Sequence, residues 1–318
     1  MSISVGRDFF IAISFCLLSW CQFSFAYAGN ELVKIETVKK AGSDTVIATN
    51  NSRMPVMVTL QLSSSSNLAS SRNWPIQVQL AGGQSLELVE VSAANKQFGY
   101  TFYYNSQFVQ GDAWARHDAG VSYRIPFLAG QAFQILQSAD GPLFTHTTVA
   151  TRYAVDINMP VGTTVIAARA GIVVEVVRQF ADNGKAEAEF FDKANYVRVL
   201  HDDGSWADYV HLMQNSTQVQ PGQRVEVGNV LGLSGNSGFS TTPHLHFHVQ
   251  VNQNGTIISL PFRFRNAHDG VFTPLYQTWL IPDAQNLTVS KTKTKKTLRE
   301  CLPTGKAIDD AVIRCLSS

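Results

Sequence analysis

The chain has 318 residues, of which 45% are hydrophobic, 10% aromatic and 15% charged. This composition suits about two folded domains and excludes a disordered or acidic-tail protein. With 25 Lys+Arg against 24 Asp+Glu the net charge is +1, which leaves no electrostatic footprint for nucleic acid as a partner.

Residues 1–28 read as an export signal: Arg7 is the positive flank, Phe9 to Trp20 a short apolar run, and Ala26-Tyr27-Ala28 a small-x-small cleavage pattern. The run is too short for a bilayer, which needs ~20 apolar residues, so no transmembrane anchor is expected. The expected mature chain starts at Gly29 and is exported, to the periplasm or the medium. Removing the signal removes Cys16 and Cys21 and leaves Cys301 and Cys315. An even pair in an oxidising compartment predicts a disulfide that closes the C-terminal tail, with two unpaired thiols as the alternative.

Residues 29–128 are expected to form a small antiparallel β-sandwich. Val56, Val58, Leu60 and Leu62 alternate with more polar neighbours, as do Ile76, Val78 and Leu80, then Leu86 and Leu88, then Tyr100, Phe102 and Tyr104. His117 in this stretch reads as a structural or surface histidine. Residues 129–282 predict a compact antiparallel β domain, with strands at Thr163–Ala167, Gly171–Val177, Asn195–Leu200 and Asp208–Leu212, and loops at Pro221-Gly222 and Ser234–Gly238. Residues 283–318 read as a polar tail in which Lys291, Lys293, Lys295 and Lys296 alternate with other residues. The expected fold class is therefore all-β.

Three of the eight histidines stand in Pro243-His244-Leu245-His246-Phe247-His248-Val249. Read as a strand, this segment puts all three imidazoles on one face and Leu245, Phe247 and Val249 on the other. Alternate residues on a face lie ~6.5–7 Å apart, so neighbouring histidines can share the surroundings of one metal ion.

Upstream stand His146, Tyr153-Ala154-Val155-Asp156, Gly162-Thr163 and Gly171-Ile172-Val173, and later Tyr209-Val210-His211-Leu212 and the glycine-rich loop before Pro243. Over about residues 140–262 this ordered set resembles the lysostaphin-like, or LytM-type, zinc endopeptidases that cut peptide cross-links in peptidoglycan. The resemblance implies one zinc per chain on His146, Asp156 and His246, with His211 and His244 as the catalytic histidines. Two imidazoles and a carboxylate leave a fourth position for water, as catalytic zinc requires. No HExxH helix is present, so the proton-handling base must be a histidine.

In the lysostaphin branch the first histidine precedes the aspartate by four residues, where this chain has Arg152, and His146 stands ten residues before Asp156. His201 occupies a recurrent histidine position of the family and reads as structural, His248 as an orienting or merely polar residue, and His268 has no assigned role. The expected function is a zinc endopeptidase acting on peptidoglycan stem peptides. Two rivals stand beside it: a catalytically inactive LytM-like regulator that activates a cell-wall amidase, and a zinc peptidase for proteins.

Overall fold

A computed structural model describes residues 32–141, 146–266 and 268–283. The expected export signal and the Cys301 and Cys315 pair lie outside the described residues. Among the described residues the regular secondary structure is all strand except for one 3-10 turn at Ala188–Phe190. None of their helices is long and apolar enough to cross a membrane.

Seven strands occupy the first part: β1 (Val33–Lys40), β2 (Ser43–Asn50), β3 (Val56–Ser66), β4 (Leu68–Ser70), β5 (Ile76–Leu80), β6 (Ser85–Ala93) and β7 (Thr101–Gln110). They form a four-stranded sheet of order β1-β2-β6-β4 and a three-stranded sheet of order β5-β3-β7, all antiparallel. Val46 and Ala48 from the first sheet and Val56, Val58, Leu60, Ile76 and Leu80 from the second share one buried cluster. The period-two alternation of these segments is what turns one face of each sheet to that cluster.

The second part carries β8 (Tyr123–Arg124), β9 (Phe133–Gln137), β10 (Val155–Ile157), β11 (Thr164–Ile166), β12 (Gly171–Val177), β13 (Tyr196–Leu200) and β14 (Trp206–Val210). There follow β15 (Arg224–Val225), β16 (Val230–Leu233), β17 (Leu245–Gln253), β18 (Thr256–Ser259), β19 (Phe264–Asn266), β20 (Gly270–Phe272) and β21 (Trp279–Leu280). A nine-stranded antiparallel sheet runs β15-β12-β13-β14-β17-β10-β9-β21, with β18 beside the second half of β17. Leu245, Phe247 and Val249 are fully buried in its core together with Tyr209, Ala207, Val197 and Val199.

Tyr123, Ile125 and Phe127 precede the expected boundary at residue 128, yet they belong to this second core. β8 pairs with β19, and Phe127 bridges to Val165. The first part meets the large sheet at the beginning of β14 and the end of β17. Asn252 Nδ2 donates to the Gln110 carbonyl at 3.1 Å. Gly111, at φ +91°, lies so close that a Cβ would fall 2.6 Å from the Trp206 ring. Because β14 and β17 are antiparallel, this contact sits at the end of the two strands opposite to His211 and His244.

Candidate metal centre and catalytic site

Strand register assembles the site. Asp156 on β10 lies directly opposite His246 on β17, and Val210, the residue before His211, lies opposite His246 from β14. His244 precedes β17 and bridges to Gly235, so the glycine-rich loop and the histidine strand meet there. His211 follows β14 in the left-handed region, at φ +64°. That conformation is uncommon for a residue other than glycine, and it turns the imidazole out of the strand toward the loop.

His146, Asp156 and His246 each offer a ligand atom, and these atoms lie within 4.8 Å of one another. His246 Nδ1 stands 2.9 Å from Asp156 Oδ1, and His146 Nε2 stands 3.4 Å from Asp156 Oδ2. Burial alone would raise the Asp156 carboxyl, but His244, His146 and His246 around it outweigh that and hold it well below the usual carboxylate range. Burial pushes His246 down to about 4, so at neutral pH its ring is uncharged and keeps a lone pair. A buried carboxylate and two imidazole nitrogens this close together form a donor set that suits Zn2+ and leaves room for a fourth ligand.

His211 and His244 sit beside this cluster, with their ring centroids 4.6 Å apart and His211 5.9 Å from His246. Each is oriented by a backbone carbonyl: His211 Nδ1–H donates to Ser237 O at 2.7 Å and His244 Nδ1–H to Thr242 O at 2.7 Å. These bonds leave both Nε2 atoms as the reactive positions, and His244 Nε2 lies 3.7 Å from Asp156 Oδ1. Burial, reinforced by His244 and His246, holds His211 well below the usual imidazole value, so it is a neutral proton acceptor at pH 7.

The loop that carries both carbonyls is braced. Ser237 Oγ donates to Leu212 O at 2.9 Å and accepts from Asn195 N at 3.0 Å. Asn195 Nδ2 ties Phe180 O to Leu212 O. Gly238, at φ +79°, packs on the Ala194 backbone, where a Cβ would come within 2.7 Å. On the outer side of the loop Phe239 stacks on Phe191 with ring centroids 4.3 Å apart.

All five residues expected to act together are thus adjacent. His201 stands apart, buried, with Nδ1–H donating to Ala170 O at 2.9 Å. His117 pairs with Asp203 at 3.2 Å, and His268 lies exposed beside Asp269. Two participants were not anticipated. Asp208 meets His248, and Arg198 clasps Asp208 from the next strand. The available signal was an acid and a base set within the apolar runs of β14 and β13.

Residues 150–257 match Peptidase family M23. Over that stretch the chain is similar to the M23 peptidases. The matched segment holds Asp156, His211, His244 and His246, and His146 stands four residues ahead of it. Lysostaphin of Staphylococcus simulans is 35% identical over 103 residues, covering 31% of this chain and 18% of that protein. Peptidoglycan DD-endopeptidase ShyA of Vibrio cholerae is 36% identical over 103 residues, covering 32% and 21%. An uncharacterized metalloprotease of Haemophilus influenzae is 29% identical over 183 residues, covering 55% and 34%. The chain therefore spans about a third of the length of these relatives at most. The crystallized catalytic domain of Staphylococcus simulans lysostaphin is 26% identical with a TM-score of 0.27, covering 42% of this chain and 88% of that one.

Proposed function

We propose that this protein is an exported zinc endopeptidase that hydrolyses peptide cross-links of peptidoglycan. The observation that carries the proposal is the pairing of a His146, Asp156, His246 ligand cluster with two carbonyl-oriented histidines at its edge. The cell-wall substrate is supported by the M23 match and by relatives named lysostaphin and peptidoglycan DD-endopeptidase. Export to the periplasm or the medium follows from the leader-like residues 1–28 and from that substrate.

His146, Asp156 and His246 would hold one zinc ion per chain. When bound, the ion lowers the pKa of its water toward ~7 and polarises the peptide carbonyl. The chain's own residues handle the protons. One of the Nε2 atoms of His211 and His244 accepts the proton released by the attacking water and later delivers it to the leaving amine. The other imidazole donates a hydrogen bond to the carbonyl oxygen as negative charge develops there. The Ser237 and Thr242 carbonyls keep both rings turned for this exchange. The loop at 234–242, with Phe239 against Phe191, forms one wall of the substrate groove.

In this proposal the first part, about residues 29–128, is a sandwich that positions the catalytic part, about residues 129–282. Its attachment at the far ends of β14 and β17 leaves the histidine end of the sheet uncovered by that contact. Digestion of purified sacculi, followed by product masses, tests the function. Cross-linked dimers should fall to monomers, and chelation should stop the reaction. Intact dimers with zinc-loaded protein, together with stimulation of a separate amidase, would establish the regulator instead, and cleavage of proteins alone would establish the general peptidase.

A further inference from the structure

The metal-ligand cluster does not end at His246. Its second ring nitrogen, Nε2, lies 2.8 Å from His248 Nδ1, and His248 Nε2 lies 3.1 Å from Asp208 Oδ2. Asp208 is gripped by Arg198 through two bonds, Nε to Oδ1 at 2.8 Å and Nη2 to Oδ2 at 2.9 Å. The remaining nitrogen, Nη1, reaches Glu175 Oε2 and Gln110 Oε1, each at 2.9 Å. Register produces the row: Arg198 faces Asp208, Asp208 faces His248, and His246 faces Asp156 on four neighbouring strands. Asp208 and His248 are both buried.

We propose that His248 and Asp208 are positioning residues that fix the tautomer and rotation of His246, so that its Nδ1 lone pair points at Asp156 and the metal. The proposal rests on the metal-site reading above and deepens it. Hydrogen-bond polarity carries it. A carboxylate already accepting two guanidinium bonds is an acceptor, so His248 Nε2 bears the hydrogen. A His248 ring that carries its one hydrogen on Nε2 offers Nδ1 as an acceptor, and this pairing places the hydrogen of His246 on Nε2. His246 Nδ1 is left bare, and it is the atom beside Asp156. Partners beyond a ligating histidine commonly orient it in this way. Here a second histidine extends the chain by one link, and Arg198 joins it to Gln110 at the end of β7, in the first part of the chain.

The test combines two measurements on the full chain. In metal-free protein, long-range nitrogen–proton NMR should show His246 and His248 both carrying their hydrogen on Nε2. Finding it on Nδ1 of His246 overturns the proposal, whatever any variant does. Zinc affinity by competition with a chromogenic chelator should then weaken about 10- to 100-fold in His248→Phe. His248→Gln, whose amide can accept from His246 and donate to Asp208, should recover most of that loss. A folded His248→Phe with unchanged zinc affinity and unchanged His246 tautomer overturns the proposal while leaving the metal site intact. Wild-type protein that takes up no zinc defeats the metal-site reading, and the tautomer measurement still decides the positioning role.

Discussion

Asp156 and His246 face each other across β10 and β17, with 2.9 Å between Asp156 Oδ1 and His246 Nδ1. Neither atom has a hydrogen to offer the other once His246 carries its own on Nε2. A cation held by both residues would offset this opposition of lone pairs. Purified protein is therefore expected to hold one zinc per chain by elemental analysis, with His246→Ala and Asp156→Asn each reducing the content to near zero. Full occupancy in both variants would remove these residues from the site.

His211→Ala and His244→Ala are expected to keep their zinc and lose turnover by at least about 100-fold, in line with the contribution of a positioned acid or base. Metal analysis and muropeptide cleavage on the same samples check this. Loss of zinc in His244→Ala equal to that in His246→Ala would move His244 into the ligand set.

A pH effect on stability should come from His201, which burial pushes from its ordinary 6.5 down to about 4. The unfolded chain takes up a proton at that histidine below pH 6.5, while the folded one resists until about pH 4. Its contribution is thus fully favourable above pH 6.5 and is lost as the pH falls through that window. Between pH 7.5 and 5 the loss amounts to about 2 kcal/mol. Urea unfolding at both values should show a drop in wild type that is smaller by this amount in His201→Asn. Equal drops would show that the ring is protonated in the folded state.

Arg198→Met is expected to destabilise the protein by about 3–5 kcal/mol, because it strands Asp208 and Glu175 beside a buried site without their cation. Chemical denaturation measures it. A change below 1 kcal/mol would mean that water or another cation replaces the guanidinium.

A fragment starting at Ala129 should be less stable than one starting at Asp112, since it lacks Tyr123, Ile125 and Phe127, all fully buried in the second core. Each buried side chain of this kind contributes about 1.5–3 kcal/mol. Similar thermal midpoints for the two fragments would show that the core closes without them.

The alternation around His246 was legible because a strand has period two, and the buried Leu245, Phe247 and Val249 left the histidines only the opposite face. The family resemblance supplied Asp156 and His211, whose positions depend on pairing between strands remote in sequence. Arg198 and Asp208 were hidden for a physical reason. Charges in a strand read as its solvent face, and only the register of β13 against β14 shows that these two neutralise each other inside the sheet.

His211 stands with four other described non-glycine residues at positive φ, of which three are asparagines. Asparagine and glycine tolerate that backbone conformation better than most side chains. At this position, then, the residue best for the fold and the residue best for the chemistry differ. Selection of variants for heat resistance alone would favour replacing His211, and under the proposed mechanism it would deliver a sturdier protein with no working site.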